Sequence, residues 1–207
     1  QTKLPPFFSN LLPEGHLRQY LAQQGGINQQ SEFKLIELLG GDLPGNVFVK
    51  SGNTIDFEIE KGTAGLNQDD QIYRFSLAGI QLKFSAITES SGGLTIPTSG
   101  LGGDWIVKLP AQNFVSVPEN EFSMLQLAKE VGISTPEINL IDLDKVSGLP
   151  ELGILGGDKA LAVKRFDREN GKRIHIEDFA QVYSVFPKDK YDKVNYGNIA
   201  NMVWVLT

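Results

Sequence analysis

Three features of this 207-residue sequence could together hold a triphosphate. Ser76-Leu77-Ala78-Gly79-Ile80-Gln81 is a short loop between two apolar stretches. Gly79 can take φ angles that bulkier residues avoid, which lets backbone amides approach phosphate oxygens. Lys108 ends the apolar run Trp105-Ile106-Val107, and an ammonium buried there without a partner would be costly, so a carboxylate is expected nearby. Glu121 is the candidate: it lies on a segment whose Phe122, Leu125 and Ala128 give a helix one apolar face. A phosphate-covering loop, a strand lysine and a helix glutamate, in that order, form the arrangement by which kinases position ATP. Each part also has an ordinary structural reading, as a hairpin, a snorkelling lysine and an amphipathic helix.

Other chemistries find little support. Gly171-Lys172 is followed by Arg173 and lacks the earlier glycine of a Walker loop. His16 and His175 are far apart and neither has a partner at ligand spacing, so both are expected to pack or cap rather than bind metal or serve a Ser-His-Asp site. Asp56-Phe57-Glu58 sits in an alternating strand pattern, where Phe57 would face a core. Asp69-Asp70 and Asp142/Asp144 read as turn and strand-end acids. The absence of cysteine excludes disulfides, thiolate nucleophiles and Cys-rich zinc sites. With 19 basic and 25 acidic residues the net charge is −6, which gives no overall attraction to nucleic acid or anionic membrane. The apolar share of 41% suffices for a sizeable core. Neither a signal peptide nor a membrane span is legible, which fits a cytoplasmic location.

The elements that must position these residues follow from pattern and punctuation. Helices are expected over residues 16–24, stopped by Gly25-Gly26, and from Ser31 to the Gly40-Gly41 pair. Alternation over 46–60 predicts a hairpin, and 72–86 a strand, loop and strand. Strands are expected at 104–109, 136–143 and 161–166, with a helix at 118–131 between the first two. Helices at 176–185 and from about 196 close the sequence.

The wording of these segments resembles the HipA family of bacterial toxin kinases. Leu4-Pro5-Pro6-Phe7-Phe8-Ser9-Asn10-Leu11-Leu12-Pro13 is similar to the family's signature at the end of its N-terminal subdomain, and Ser76 to Lys83 to its phosphate-covering loop. Ile106-Val107-Lys108-Leu109-Pro110, Asn120-Glu121, Leu127-Ala128-Lys129-Glu130-Val131-Gly132, Val163-Lys164-Arg165-Phe166-Asp167-Arg168 and the stretch from Arg173 to Gln181 agree in order. The resemblance implies an α+β, protein-kinase-like fold. An N-terminal lobe with a mixed antiparallel sheet and an inserted helix would be followed by the helical start of a C-terminal lobe. The expected division is 1–65 for the remnant of the N-terminal subdomain, 66–170 for the nucleotide-binding lobe and 171–207 for the helical start.

By the same resemblance, Ala78, Gly79, Ile80, Gln81, Lys83 and Lys108 would surround the ATP phosphates, with Glu121 orienting the lysine. Lys164, Arg165 and Phe166 would form a hinge whose backbone holds adenine, and Asp167 would approach the ribose. Ser76 matches the loop serine that family members autophosphorylate, where added negative charge would disfavour the inward loop; its ordinary alternative is a turn serine bonding its own backbone. The family's catalytic aspartate and Mg2+ ligands would lie beyond Thr207, so no general base or metal ligand is assigned within these residues. A natural truncation, a frameshift or part of a longer chain would all read alike. The short start is similar to HipT, whose missing piece is a separate protein, HipS. A HipS-like partner, a HipB-like DNA-binding antitoxin and an aminoacyl-tRNA synthetase substrate are therefore implied. The competing expectation is a non-catalytic remnant that binds such a partner.

Overall fold

The computed structural model describes residues 3–50, 77, 81–89, 93–97, 103–111, 113–150 and 155–206. Helices α1 (Pro6–Ser9), α2 (Gly15–Gln24) and α3 (Glu32–Leu39) open the chain. Pro6 falls in the first turn of α1, where its missing N–H forfeits no helical bond. Leu17 and Leu21 on α2, and Leu35 and Leu39 on α3, are fully buried pairs at the four-residue spacing of an apolar helix face. Glu32 is buried too, and its carboxylate accepts the Leu4 amide and the Ser9 hydroxyl, each at 2.9 Å, with the Arg18 guanidinium 3.6 Å away. A buried carboxylate needs such donors, and these tie the first residues of the chain to α3.

A six-stranded mixed sheet follows, in the order β4-β6-β3-β1-β2-β5. Its strands are β1 (Lys83–Thr88), β2 (Leu94–Thr95), β3 (Trp105–Lys108), β4 (Ile138–Asp142), β5 (Val146–Ser147) and β6 (Lys159–Lys164). All neighbours are antiparallel except β2 and β5. Between β3 and β4 the chain forms α4 (Val117–Glu130), which lies against β4 and β6. Glu119 in its first turn and Lys129 in its last complement the helix dipole. Phe84, Val107, Ala160 and Ala162 of the sheet join the leucines of α2 and α3 in one apolar core.

Beyond the sheet, β7 (Arg168–Glu169) and β8 (Lys172–Arg173) form a small hairpin. Its turn is Asn170-Gly171, at φ of 50° and 74°, the pair that a tight hairpin favours. Helices α5 (Phe179–Val182), α6 (Lys190–Lys193) and α7 (Tyr196–Leu206) end the chain. The N-terminal motif clasps this region: the Asn10 amide donates to the Val185 carbonyl at 2.7 Å and to the Pro6 carbonyl at 2.8 Å, and Gln181 donates to the Phe7 carbonyl at 3.1 Å.

The α+β class, the inserted helix and the helical end agree with the sequence reading. Three details differ. The helix expected at 176–185 is a single turn, because Asp178 caps it late through a reciprocal capping box with Gln181, and Ser184 leaves it at φ 52°. The strand expected at 161–166 starts earlier and stops at Lys164, so Arg165 and Phe166 have left the ladder. Residues 46–50 form no strand, and the remainder of the expected hairpin, with Asp56-Phe57-Glu58, lies outside the described residues. The histidines also depart from expectation: both are exposed, and His175 meets Glu177 at 2.9 Å rather than packing.

The clasp is testable. Replacing Asn10 by Ala leaves the Val185 carbonyl without its buried donor, and unfolding in urea should show a loss of roughly 1–3 kcal/mol. An unchanged midpoint would mean that the clasp contributes nothing.

Candidate nucleotide-binding site

Lys83 and Lys108 are register partners on β1 and β3, so their side chains leave the same face of the sheet. The Lys108 ammonium forms an ion pair with the Glu121 carboxylate on α4, both groups half-buried. The expected strand lysine and helix glutamate therefore meet. Helix α4 can deliver Glu121 because it begins soon after β3 and packs back over the sheet.

Among the described residues Lys83 has no such counter-ion of its own. Its burial and the neighbouring Lys108 ammonium pull it down from the ordinary 10.5 to about 8, with Lys190 pushing the same way and Glu14 and Glu121 opposing. Glu14 and Lys190 pair with each other at 2.6 Å. Lys83 thus remains mostly protonated at neutral pH, in a place where a second positive charge is poorly compensated. Such a place favours an anion.

Of the loop residues, Ser76, Ala78, Gly79 and Ile80 lie outside the described residues. The Gln81 side-chain Nε2 donates to the Leu109 carbonyl at 3.2 Å, and the Leu109 backbone amide donates to the Leu82 carbonyl at 2.9 Å. These bonds bring the end of the loop beside the end of β3, next to Lys108.

The segment after β6 is the second half of the site. Lys164 extends over the Trp105 ring at 5.8 Å and reaches Glu137 at 3.5 Å. The Arg165 amide donates to the Asp104 carbonyl at 2.8 Å. Phe166 is 69% exposed, and its amide N–H makes no hydrogen bond among the described residues. An open backbone donor directly after a central strand suits the flat polar edge of a purine.

Arg165 and Asp167 point the other way, into a buried cluster. Asp167 accepts Arg165 Nε at 2.9 Å, Arg165 Nη2 at 2.8 Å, Arg168 Nη1 at 2.7 Å and the Gly45 amide at 2.8 Å. Burial opposes ionisation of Asp167, yet Arg165, the Gly45 amide and Arg168 together hold it below the usual carboxylate value. Burial likewise opposes the charge of Arg165, and the Asp167 and Asp42 carboxylates more than offset it, so it is raised. Both oxygens of Asp167 are therefore engaged, and a ribose contact would require one of these donors to be surrendered.

The sequence reading named neither Asp42 nor Gly45, and it quoted Arg168 and Arg173 only within motifs. Gly40-Gly41-Asp42 was legible merely as a helix stop. The available signal was the dense alternation of charge in Arg165-Phe166-Asp167-Arg168, unusual directly after an apolar strand. Glu14 and Lys190 carried no signal at all, since a loop acid and a surface lysine are commonplace.

Comparison with known proteins supports a kinase-like assignment. Residues 75–207 match the family model described as the HipA-like C-terminal domain, and residues 1–50 match the HipA N-terminal domain. The chain is 52% identical over 207 residues to "Putative kinase Y4dM" of Sinorhizobium fredii, covering 99% of this chain and 50% of that protein. It is 28% identical to the serine/threonine-protein kinase toxin HipA of Shewanella oneidensis, over 92% of this chain and 45% of that one. The chain thus spans about half the length of the curated relatives it matches. In fold it is similar to Shewanella oneidensis HipA solved with HipB and operator DNA, with a TM-score of 0.61 at 24% identity, covering 94% of this chain and 48% of the other.

The lysine pair generates a pH test. In the folded protein Lys83 releases its proton near 8, against 10.5 when unfolded. Below the lower value both states are charged and the folded state carries the whole penalty; between the two values the unfolded state binds more protons, so stability rises with pH. Comparing wild type with Lys83→Met by urea unfolding should therefore show the difference moving in favour of wild type as pH climbs from about 8 towards 10.5. A difference that stays flat would contradict the assigned environment.

Proposed function

The chain belongs to the HipA family, and on that premise we propose that it forms the nucleotide-binding part of a serine/threonine-protein kinase of the toxin type. The observation that carries this reading is the ion pair from Lys108 at the end of the central strand to Glu121 on the overlying helix, with Lys83 beside it. The paired carboxylate fixes the Lys108 ammonium, so an incoming triphosphate meets a placed charge rather than a mobile one. Lys83 adds a second donor on the same face, and the loop from Ser76 to Gln81 would cover the phosphates. Adenine would lie against the backbone of Lys164 to Phe166, with the Phe166 amide as donor.

The residues present fit ATP: two ammonium groups at one end and an open backbone donor at the other. ATP supplies the transferable phosphoryl group when bound. Mg2+ would neutralise its phosphates; among the described residues no cluster of three or more acidic or histidine side chains could hold a metal, and the ligands are expected outside this segment. Kinase substrates of the aminoacyl-tRNA synthetase type, a HipB-like partner and a HipS-like partner belong to the same proposal. HipB accompanies the Shewanella protein in its complex, which supports the second of these.

A second reading is a partner-binding module without catalysis. The end of α7 exposes Trp204, Val205 and Leu206, each more than 70% accessible, an apolar group that a partner or further residues of a longer chain would cover equally well.

Titration calorimetry discriminates between the readings. Lys108→Ala should weaken ATP binding roughly 10- to 100-fold while the circular dichroism spectrum is kept, since a charge-assisted contact is lost and the core is untouched. Equal affinity would remove the phosphate assignment. In a catalytically competent form, Ser76→Ala should abolish autophosphorylation of the loop as read by phosphopeptide mass spectrometry; phosphate persisting elsewhere in the loop would refute Ser76 as the site.

A further inference from the structure

The segment after β6 has little to fix it from its own sheet. Past Lys164 the ladder ends, and among the described residues one backbone bond, from Arg165 to Asp104, remains on that side. Besides the Ile174 amide, which donates to the Asp167 carbonyl at 3.0 Å from beyond the hairpin, restraints come from residues 41–45, more than a hundred positions earlier. Arg168 donates to the carbonyls of Leu43 at 3.1 Å and Gly45 at 3.0 Å, and Arg173 to that of Gly41 at 3.0 Å. Gly45, at φ 68° and with the Ile176 backbone 2.9 Å from where a Cβ would stand, must be glycine to bring its amide onto Asp167.

Asp42 is the acceptor common to all three arginines. One of its oxygens takes Arg168 at 2.9 Å and lies 3.2 Å from Arg173, and the other lies 3.5 Å from Arg165. Its side chain is 1% exposed, as is that of Arg165. The cluster sets three guanidiniums against two carboxylates, with backbone carbonyls of residues 41, 43 and 45 taking the remaining donors. Removing one carboxylate would leave three buried cations facing Asp167 alone, and they would have to spread or admit water. Because Arg165 and Asp167 flank Phe166, any such spreading moves the backbone that Phe166 presents.

We propose that Asp42 is a positioning residue for the nucleotide: the buried network it anchors holds residues 165–168 so that the backbone of 164–166 faces the adenine edge. This deepens the nucleotide reading above and rests on it. The adenine end of the site is held by residues 41–45, whereas the triphosphate end stands on Lys108 and Glu121, which among the described residues share no hydrogen bond or ion pair with the cluster. Base recognition and phosphate binding are thus separable.

The test is calorimetric titration of the purified protein with ATP, GTP and inorganic tripolyphosphate, for wild type, Asp42→Asn and Arg173→Lys. Asp42→Asn should lose roughly tenfold in ATP affinity, through misplacement of the base-binding backbone. Its preference for ATP over GTP should shrink while tripolyphosphate binding stays at the wild-type value. A merely structural role would move ATP and tripolyphosphate together, and that result overturns the proposal, as does a folded variant with an unchanged ATP-to-GTP ratio. If near-ultraviolet circular dichroism shows that Asp42→Asn has not folded, Arg173→Lys decides by the same criteria, since Arg173 lies at the more exposed edge of the cluster, with 15% of its side chain accessible. A wild type that binds tripolyphosphate as tightly as ATP would sink the nucleotide reading itself, and the role of Asp42 with it; wild-type preference for ATP that survives in the variants sinks only the inference.

Discussion

Two ammonium groups, Lys83 and Lys108, stand opposite each other on adjacent strands and leave the same face of the sheet. Like charges so placed repel, and partial burial strengthens the repulsion. Glu121 is what makes the arrangement tenable, by neutralising one of the two. That requirement fixes much else: α4 must follow β3 closely, must pack against the sheet, and must present its second turn towards the end of β3. The remaining charge, on Lys83, is held with little compensation, which is a poor choice for stability and a good one for attracting an anion. The local electrostatics and the chain order of the elements thus serve the same purpose.

The N-terminal segment touches both ends of this site. At the lysine-pair end, Glu14 lies within electrostatic reach of Lys83 and pairs with Lys190. At the other end, Asp42 and Gly45 enter the arginine cluster behind the segment that follows β6. The clasp from Asn10 to Val185 joins the same segment to the helices that close the chain. The N-terminal helices are therefore part of the frame of the site rather than an appendage, and their leucines share its core. A buried ionic network is a weak source of stability, because desolvation offsets most of its attraction. Its value here is geometric: guanidiniums that fork onto defined oxygens admit few alternative arrangements.

Much of this was legible in the sequence. Lys108 and Glu121 could be paired by reasoning alone, because a lysine at the end of an apolar strand demands a partner and the next amphipathic helix offers one. The helix ends at Gly25 and Gly40 and the boundaries of α4 followed from glycine and proline punctuation. What local pattern could not supply was contact across long separations. Asp42 reaches Arg165 over 123 residues, and nothing near Gly40-Gly41-Asp42 distinguishes a helix stop from an anchor for a distant arginine. The short α5 was misjudged for a related reason: residues 176–178 are apolar and acidic in a pattern that a helix would accept, but Asp178 bonds the Gln181 amide and delays the start. The ribose role of Asp167 came from the family resemblance, whereas its oxygens are taken by Arg165 and Arg168 beside it in sequence and by the distant Gly45 amide.

The central claim is that a purine nucleotide spans from the lysine pair to the backbone after β6. It is tested most directly by following the backbone amides of the isotopically labelled protein by NMR as ATP is added. The account predicts that the Phe166 amide, open among the described residues, moves downfield with the same saturation curve as the amide of Lys108, because one molecule engages both. Movement at Lys108 without any at Phe166 would mean that the site recognises phosphate alone, and movement at neither would contradict the account.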